Sequence, residues 1–243
     1  MYNGSAPSDV SDAVAAFMVA PHSGASYDAA CAAARVLLQA ARRATTRFDA
    51  GATLVEKALA AYGDVPRAAV SGATAIAADP ALRDAAAILG AAIAAGQLAG
   101  ASDEVLVAAI ATGCELQTRL HRSVGDGAFD RTWNARSALG GFGAVAAAAR
   151  VMRLDKTQAR HALGLAATQA AGIAATTGTA AGIASGKAAA DGVEAVVLAT
   201  HGFTSSAASI EGRRGFAALM ATAFDPSAIV DGLGERWSPF VVA

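Results

Sequence analysis

GGFGAVAAAARVMRLDKTQARHALGLAATQAAG, Gly140–Gly172, is the stretch whose reading decides the fold class. Its first half carries the alanine run Ala146–Ala149 with Ala144 just before it, and alanine is the strongest helix former and a side chain small enough to let helix axes approach closely. A helix is predicted from about Ala138 to Met152. Asp155 and Gln158 then stand at capping-box spacing, where each side chain satisfies a backbone N–H of the other. A second helix is predicted from there to about Gly172.

The rest of the chain has the same character. Of its 243 residues 54% are hydrophobic but only 5% aromatic, and alanine supplies most of the apolar content. Strands favour β-branched and aromatic side chains, which are scarce. The chain is therefore expected to be all-α, a compact Ala-rich helical bundle forming a single domain over residues 1–243. Disorder is excluded by the apolar content. Nineteen basic against 20 acidic residues give a net charge of -1, which leaves no surplus to hold a nucleic-acid backbone.

Cys31 and Cys114 form neither a disulfide framework nor a CxxC metal spacing, and the polar start Met1–Val10 lacks the features of an export signal. A cytoplasmic location is expected. The uncharged runs Ala85–Ala101 and Ala162–Gly186 approach bilayer length. They are too rich in Ala, Gly, Thr and Gln to partition into hydrocarbon, so they read as buried helices and no membrane association is expected.

Further helices are predicted over Ser11–Val19, Tyr27–Arg47, Ala52–Ala61, Ala68–Ala77 and Ala81–Ala95. Another opens at Ser102, has Asp103 and Glu104 in its first turn, and runs towards His121. Arg122–Asn134 reads as a polar loop of the kind that carries function. A later helix runs to His201 and stops at Gly202, and a last one covers Gly215–Phe224. Glycines 178, 182 and 186 with Ala190 place small residues on one helical face, read as close packing.

Local motifs are weak. Gly141, Gly143 and Ala146 match a dinucleotide fingerprint, but no strand precedes them. Gly182, Gly186 and Lys187 miss phosphate-loop spacing by one residue. His22, His121, His161 and His201 never stand three or four apart, so no helix offers a metal an adjacent pair and no metal site is expected. His121, beside Arg119 and Arg122 at a helix end, fits either a carboxylate-binding cluster or simple complementarity to the helix dipole. Glu211, Arg213 and Arg214 read as a solvated helix start.

Three longer segments carry more. AAIATGCELQTRL (Ala108–Leu120), the Gly140–Gly172 stretch, and SGKAAADGVEAVVLATHGFTSSAASIEGRRGF (Ser185–Phe216) resemble, in order and spacing, the GYEV..RL, G.FGAAAAAA.LLGLD..Q...ALG.A..QA.G and G.AA..GV.AA.LA..GFT....LEG..GF patterns of the MmgE/PrpD family. They cover about half the chain. The family includes 2-methylcitrate dehydratase, cis-aconitate decarboxylase, and isomerases or epimerases of small dicarboxylic acids. The resemblance implies metal-independent acid/base chemistry beside a carboxylate, on a small carboxylated or oxygenated metabolite, with no cofactor. A lyase of dehydratase or decarboxylase type, or an isomerase, is the leading expectation; a non-catalytic ligand-binding or scaffolding protein is the alternative.

The family's H.LD.DD..HP segment falls on Ile76–Leu82, which keeps one acid as Asp79, the expected base. The His of its F-H-x-T-G pattern falls on Asn134 and the Thr on Arg136; the Lys and His of its K..H.G pattern fall on Ala181 and Ala184. Asn134 can hydrogen-bond but cannot serve as a base near neutral pH. Asp79 and Asn134 are thus the expected catalytic positions, with Arg83, His121, Arg131, Arg136 and Lys187 as substrate-binding candidates. The family's α/β lid domain has no counterpart before Ala243, so a homodimer is expected to cover the apolar surface left open.

Overall fold

The computed structural model describes residues 10–46, 53, 57–58, 64–125, 127–176 and 178–238. The helices are α1 (Val10–Val19), α2 (Ala25–Thr45), α3 (Asp64–Ala77), α4 (Ala86–Ala99), α5 (Asp103–Ser123), α6 (Ala128–Thr132), α7 (Ala135–Ala138), α8 (Gly140–Val151), α9 (Lys156–Ala167), α10 (Thr179–Thr200), α11 (Phe216–Met220) and α12 (Ser227–Val230). No strand occurs among the described residues, whose sole β feature is an isolated bridge between Trp133 and Ile173. The architecture is an all-α bundle.

The alanine-rich α8 lies at its centre, packed against α4, α5, α9 and α10. Phe142 through Ala149 are all buried. The α5–α8 crossing depends on glycine: a Cβ on Gly113 would lie 2.5 Å from the Gly143 carbonyl oxygen. The Gly141/Gly143/Ala146 motif is thus inside a helix, and Gly143 serves packing. Gly182, Gly186 and Lys187 likewise lie within α10. A Cβ on Gly186 would come 2.7 Å from the Val70 carbonyl oxygen on α3, so close packing holds for Gly186. Gly178 instead caps α10 at φ 63° and has open space around it.

The capping box forms as the spacing predicts, with Gln158 N–H donating to Asp155 Oδ1 (2.8 Å) and Asp155 N–H to Gln158 Oε1 (3.1 Å). Several boundaries differ. α9 stops at Ala167 rather than near Gly172. Helix does not begin at Ala81: Asp79 Oδ1 accepts the Ala81 N–H (2.9 Å), a local bond that competes with helix, and a 3₁₀ turn over Arg83–Ala85 leads into α4. The 122–134 loop contains α6. The last predicted helix shrinks to Phe216–Met220, and α12 follows it. The expected helix Ala52–Ala61 lies almost wholly outside the described residues. No described helix is long and apolar enough to cross a membrane.

Two buried carboxylates join distant parts of the chain, and the first ties the C-terminal segment down. Arg119 and Glu115 pair on α5 at 2.5 Å, both almost fully buried. Arg119 Nη1 donates to the carbonyls of Ile229 (2.8 Å) and Asp231 (3.0 Å), and Nη2 to those of Gly232 (3.1 Å) and Arg236 (2.6 Å). Glu115 Oε2 accepts the Ser238 N–H at 2.7 Å. Glu211, expected in a solvated helix start, is instead buried at the N-terminus of α1. It accepts from the Ser11 N–H (3.2 Å) and the Ser11 hydroxyl (2.5 Å), where the helix dipole favours negative charge.

Candidate functional site

A cleft of about 540 Å³ opens where the C-terminal turns of α5 meet the 130–136 segment. α5 supplies Gln117, Thr118, His121 and Arg122; the 3₁₀ turn supplies Asp84; and Asp130, Trp133, Asn134 and Arg136 close the far side. Ala174 and Thr176 complete the rim.

The far side is held in place by the backbone. Asn134 N–H donates to Gly172 O (3.0 Å), Ala174 N–H to Thr132 O (3.2 Å), and Trp133 Nε1–H to Met220 O (2.9 Å). The Ser137 hydroxyl donates to Ala171 O at 3.0 Å. Gly172 is required here: it has φ +124°, and a Cβ would lie 2.0 Å from Ser137 Oγ. Asn134 occupies the N-cap position of α7, yet its side chain makes no capping bond, so the amide is free to meet a ligand.

A histidine–carboxylate contact and an arginine–carboxylate pair line the cleft. His121 Nε2 sits 3.0 Å from both carboxylate oxygens of Asp130, with each side chain about half exposed. Arg136 Nε donates to Asp84 Oδ1, leaving its four terminal N–H donors uncommitted by that bond. Gln117 Nε2–H donates to Asp84 O (2.8 Å), which fixes the 3₁₀ turn against α5, while Gln117 Oε1 is buried without a partner. Arg122 Nη1 donates to the Ser238 hydroxyl at 2.7 Å.

Of the residues singled out by sequence, Asn134, Arg136 and His121 meet on this cleft, together with Arg122 beside His121. The others do not line it. Asp79 is exposed in the turn after α3, bound to Ala81 N–H. Arg83 Nε donates to Ala77 O at 3.3 Å. Arg131 is exposed on α6. Lys187 is exposed on α10 and pairs with Asp191 at 3.1 Å. Ala181 and Ala184 are half-buried on the same helix. The acidic partners Asp84 and Asp130 were not singled out. Asp84 lies 52 residues from Arg136, a pairing no local spacing encodes; Asp130, in the polar 122–134 segment, carried the only available signal.

The remaining histidines serve the backbone. His22 Nε2 contacts Phe17 O (2.9 Å), His161 Nδ1 accepts Ser205 N–H (3.1 Å), and His201 Nδ1 contacts Val197 O (2.9 Å). No group of three or more metal-ligating side chains occurs among the described residues. A second cavity of about 540 Å³ lies at the other end of α5, roughly 20 Å away at 1.5 Å per residue. Its walls are mostly apolar, and its Arg150 is committed to Ala20 O at 2.7 Å.

No curated relative matches the chain. The profile of the MmgE/PrpD N-terminal domain matches residues 32–229, a span that includes the whole cleft, and the chain belongs to that family.

Proposed function

We propose that the cleft binds a small hydroxylated carboxylate and carries lyase- or isomerase-type acid/base chemistry without a metal or organic cofactor. What supports this is one observation: Asn134 and Arg136, which stand where the family's pattern has a His and a Thr, share a cleft with the His121–Asp130 pair. A carboxylate holds an imidazole in one tautomer and orientation. With Nε2–H donated to Asp130, the lone pair is on Nδ1, which becomes the proton acceptor.

In a dehydration, Nδ1 takes the proton from the carbon beside the substrate carboxylate. The C–H electrons form the double bond as the hydroxyl leaves the next carbon, taking from His121 Nδ1 the proton it has just accepted, so that water departs and the imidazole returns to its neutral form. Arg136 and Arg122 hold the carboxylate and the charge that develops on it, and the Asn134 amide orients the substrate. Proton transfer is thereby assigned to His121. Asp79, the acid expected from the resemblance, is the competing assignment. Its place in an exposed turn, outside the cleft lining, favours His121.

The second reading is a binding protein without turnover, favoured by Asn134 where the family's pattern has a histidine. The test is incubation with a panel of small hydroxy and unsaturated acids, following water or carbon dioxide loss. Turnover abolished in His121→Ala and kept in Asp79→Asn supports the assignment. Loss in Asp79→Asn alone returns the role to Asp79, and ligand-induced melting shifts without turnover favour the binding protein.

A homodimer covering the cleft rim completes the proposal. Ile173 and Leu219, 63% and 71% exposed, are apolar side chains beside the Trp133 anchor points. Light scattering that gives the 23.9 kDa monomer mass at all concentrations removes the dimer.

A further inference from the structure

α5 faces two structures at once. Gln117, Thr118, His121 and Arg122 line the cleft. Glu115, Arg119 and Arg122, spaced i, i+4 and i+7 and so on one side of the helix, all bond to the C-terminal segment. Glu115 Oε2 accepts the Ser238 N–H, Arg119 donates to four carbonyls between Ile229 and Arg236, and Arg122 Nη1 donates to the Ser238 hydroxyl at 2.7 Å. Of these residues only Arg122 belongs to both sets. Among the described residues no carboxylate pairs with it, so its charge is open to a ligand.

We infer that Ser238 is a positioning residue of the cleft: its hydroxyl holds the Arg122 guanidinium in place for a ligand carboxylate. The C-terminal segment, though outside the lining, then belongs to the binding machinery. The inference rests on reading the cleft as a carboxylate site. Arg122 is exposed, and ordering a long exposed side chain at the moment of binding costs affinity. The Ser238 bond restricts it beforehand and uses one of its five N–H donors, leaving four. A neutral hydroxyl suits this role, because unlike a carboxylate it leaves the positive charge uncompensated. Ser238 can act as a fixed point because Glu115 holds its N–H at 2.7 Å and its neighbour Trp237 is buried.

The test titrates 2-hydroxybutanoate, malate and citrate into the full chain by calorimetry near neutral pH. Ser238→Ala keeps the backbone N–H that Glu115 holds, so it removes the hydroxyl and leaves the segment fastened, which thermal melting checks. For each acid that binds the wild type, Ser238→Ala should weaken binding about three- to tenfold, while Ser238→Thr, which retains a hydroxyl, should stay within about twofold. In an Arg122→Ala background, adding Ser238→Ala should change affinity by no more than about twofold, because the residue it acts through is gone.

Wild-type affinity in Ser238→Ala overturns the inference, as does an equal loss in Ser238→Thr, or the full loss recurring in the Arg122→Ala background. Each of these leaves the carboxylate site standing. Where Arg122→Ala binds too weakly to titrate, the contrast between Ser238→Ala and Ser238→Thr decides. If none of the three acids binds the wild type at about 10 mM, the carboxylate site itself fails, and the inference fails with it.

Discussion

Removing the guanidinium in Arg119→Ala tests how the C-terminal segment is held. Arg119 is 5% exposed and Glu115 3%. The substitution leaves the Glu115 carboxylate with the Ser238 N–H at 2.7 Å as its remaining partner, strips the backbone carbonyls of Ile229, Asp231 and Arg236 of the Arg119 donor, and leaves Gly232 O with only its backbone donors from Glu235 and Arg236. Breaking a buried pair from one side costs about 3–5 kcal/mol, because the surviving charge keeps its desolvation penalty. At roughly 2–4 °C per kcal/mol for a chain of this size, the melting temperature should fall by about 6–20 °C. Arg119→Lys should recover only part of this, since one ammonium cannot reproduce a planar fork that reaches five acceptors. Urea denaturation gives the free energy. Hydrogen exchange supplies a local readout, with amides of residues 229–238 losing protection first. A loss under about 1 kcal/mol, or unchanged exchange over 229–238, would refute the view that this pair fastens the segment.

Other outcomes follow from individual contacts. Gly113→Ala forces a methyl to within 2.5 Å of the Gly143 carbonyl and should cost at least about 1–3 kcal/mol in the same denaturation assay. Arg153→Gly should stabilise by up to about 1 kcal/mol: Arg153 ends α8 at φ 55°, and Leu154 N–H bonds back to Ala149 O at 3.1 Å, a left-handed termination that glycine adopts without strain. Burial among Phe17, Tyr27 and Trp237 holds the His22 imidazole below its ordinary range, against the raising effect of its Phe17 carbonyl contact. The unfolded chain therefore binds that proton more readily, so this contribution to stability is present above about pH 6.5 and is lost as pH falls through the folded-state value. His22→Phe should flatten that part of the pH–stability curve.

Helix content was readable because alanine's propensity and the 155/158 capping spacing are local properties. Boundaries failed where a non-local or side-chain bond intervened: Asp79 turns the chain at Ala81, and Gly172 ends up facing Ser137 rather than inside a helix. Half of the candidate site was legible for a similar reason. Asn134 and Arg136 fall on aligned motif positions, and His121 stands at a helix end next to a polar segment. Their acidic partners depend on how α5, the 3₁₀ turn and α6 are brought together, which no local pattern states. Burial was equally hidden. Glu115 and Arg119, an ordinary i,i+4 pair in sequence, turn out to anchor the distant 229–238 segment, and Glu211 looked solvated because its partner, Ser11, is 200 residues away.

The crossing of α5 and α8 at Gly113 and Gly143 also governs where new specificity can arise. Helices spaced by main chain against main chain have no slack to admit a guest between them, so recognition has to be written on the rim, where the helices end. Randomising positions 84, 118, 130 and 176 would therefore explore altered ligand choice on an intact scaffold. The same diversity introduced at 143–149 would return mostly unfolded chains.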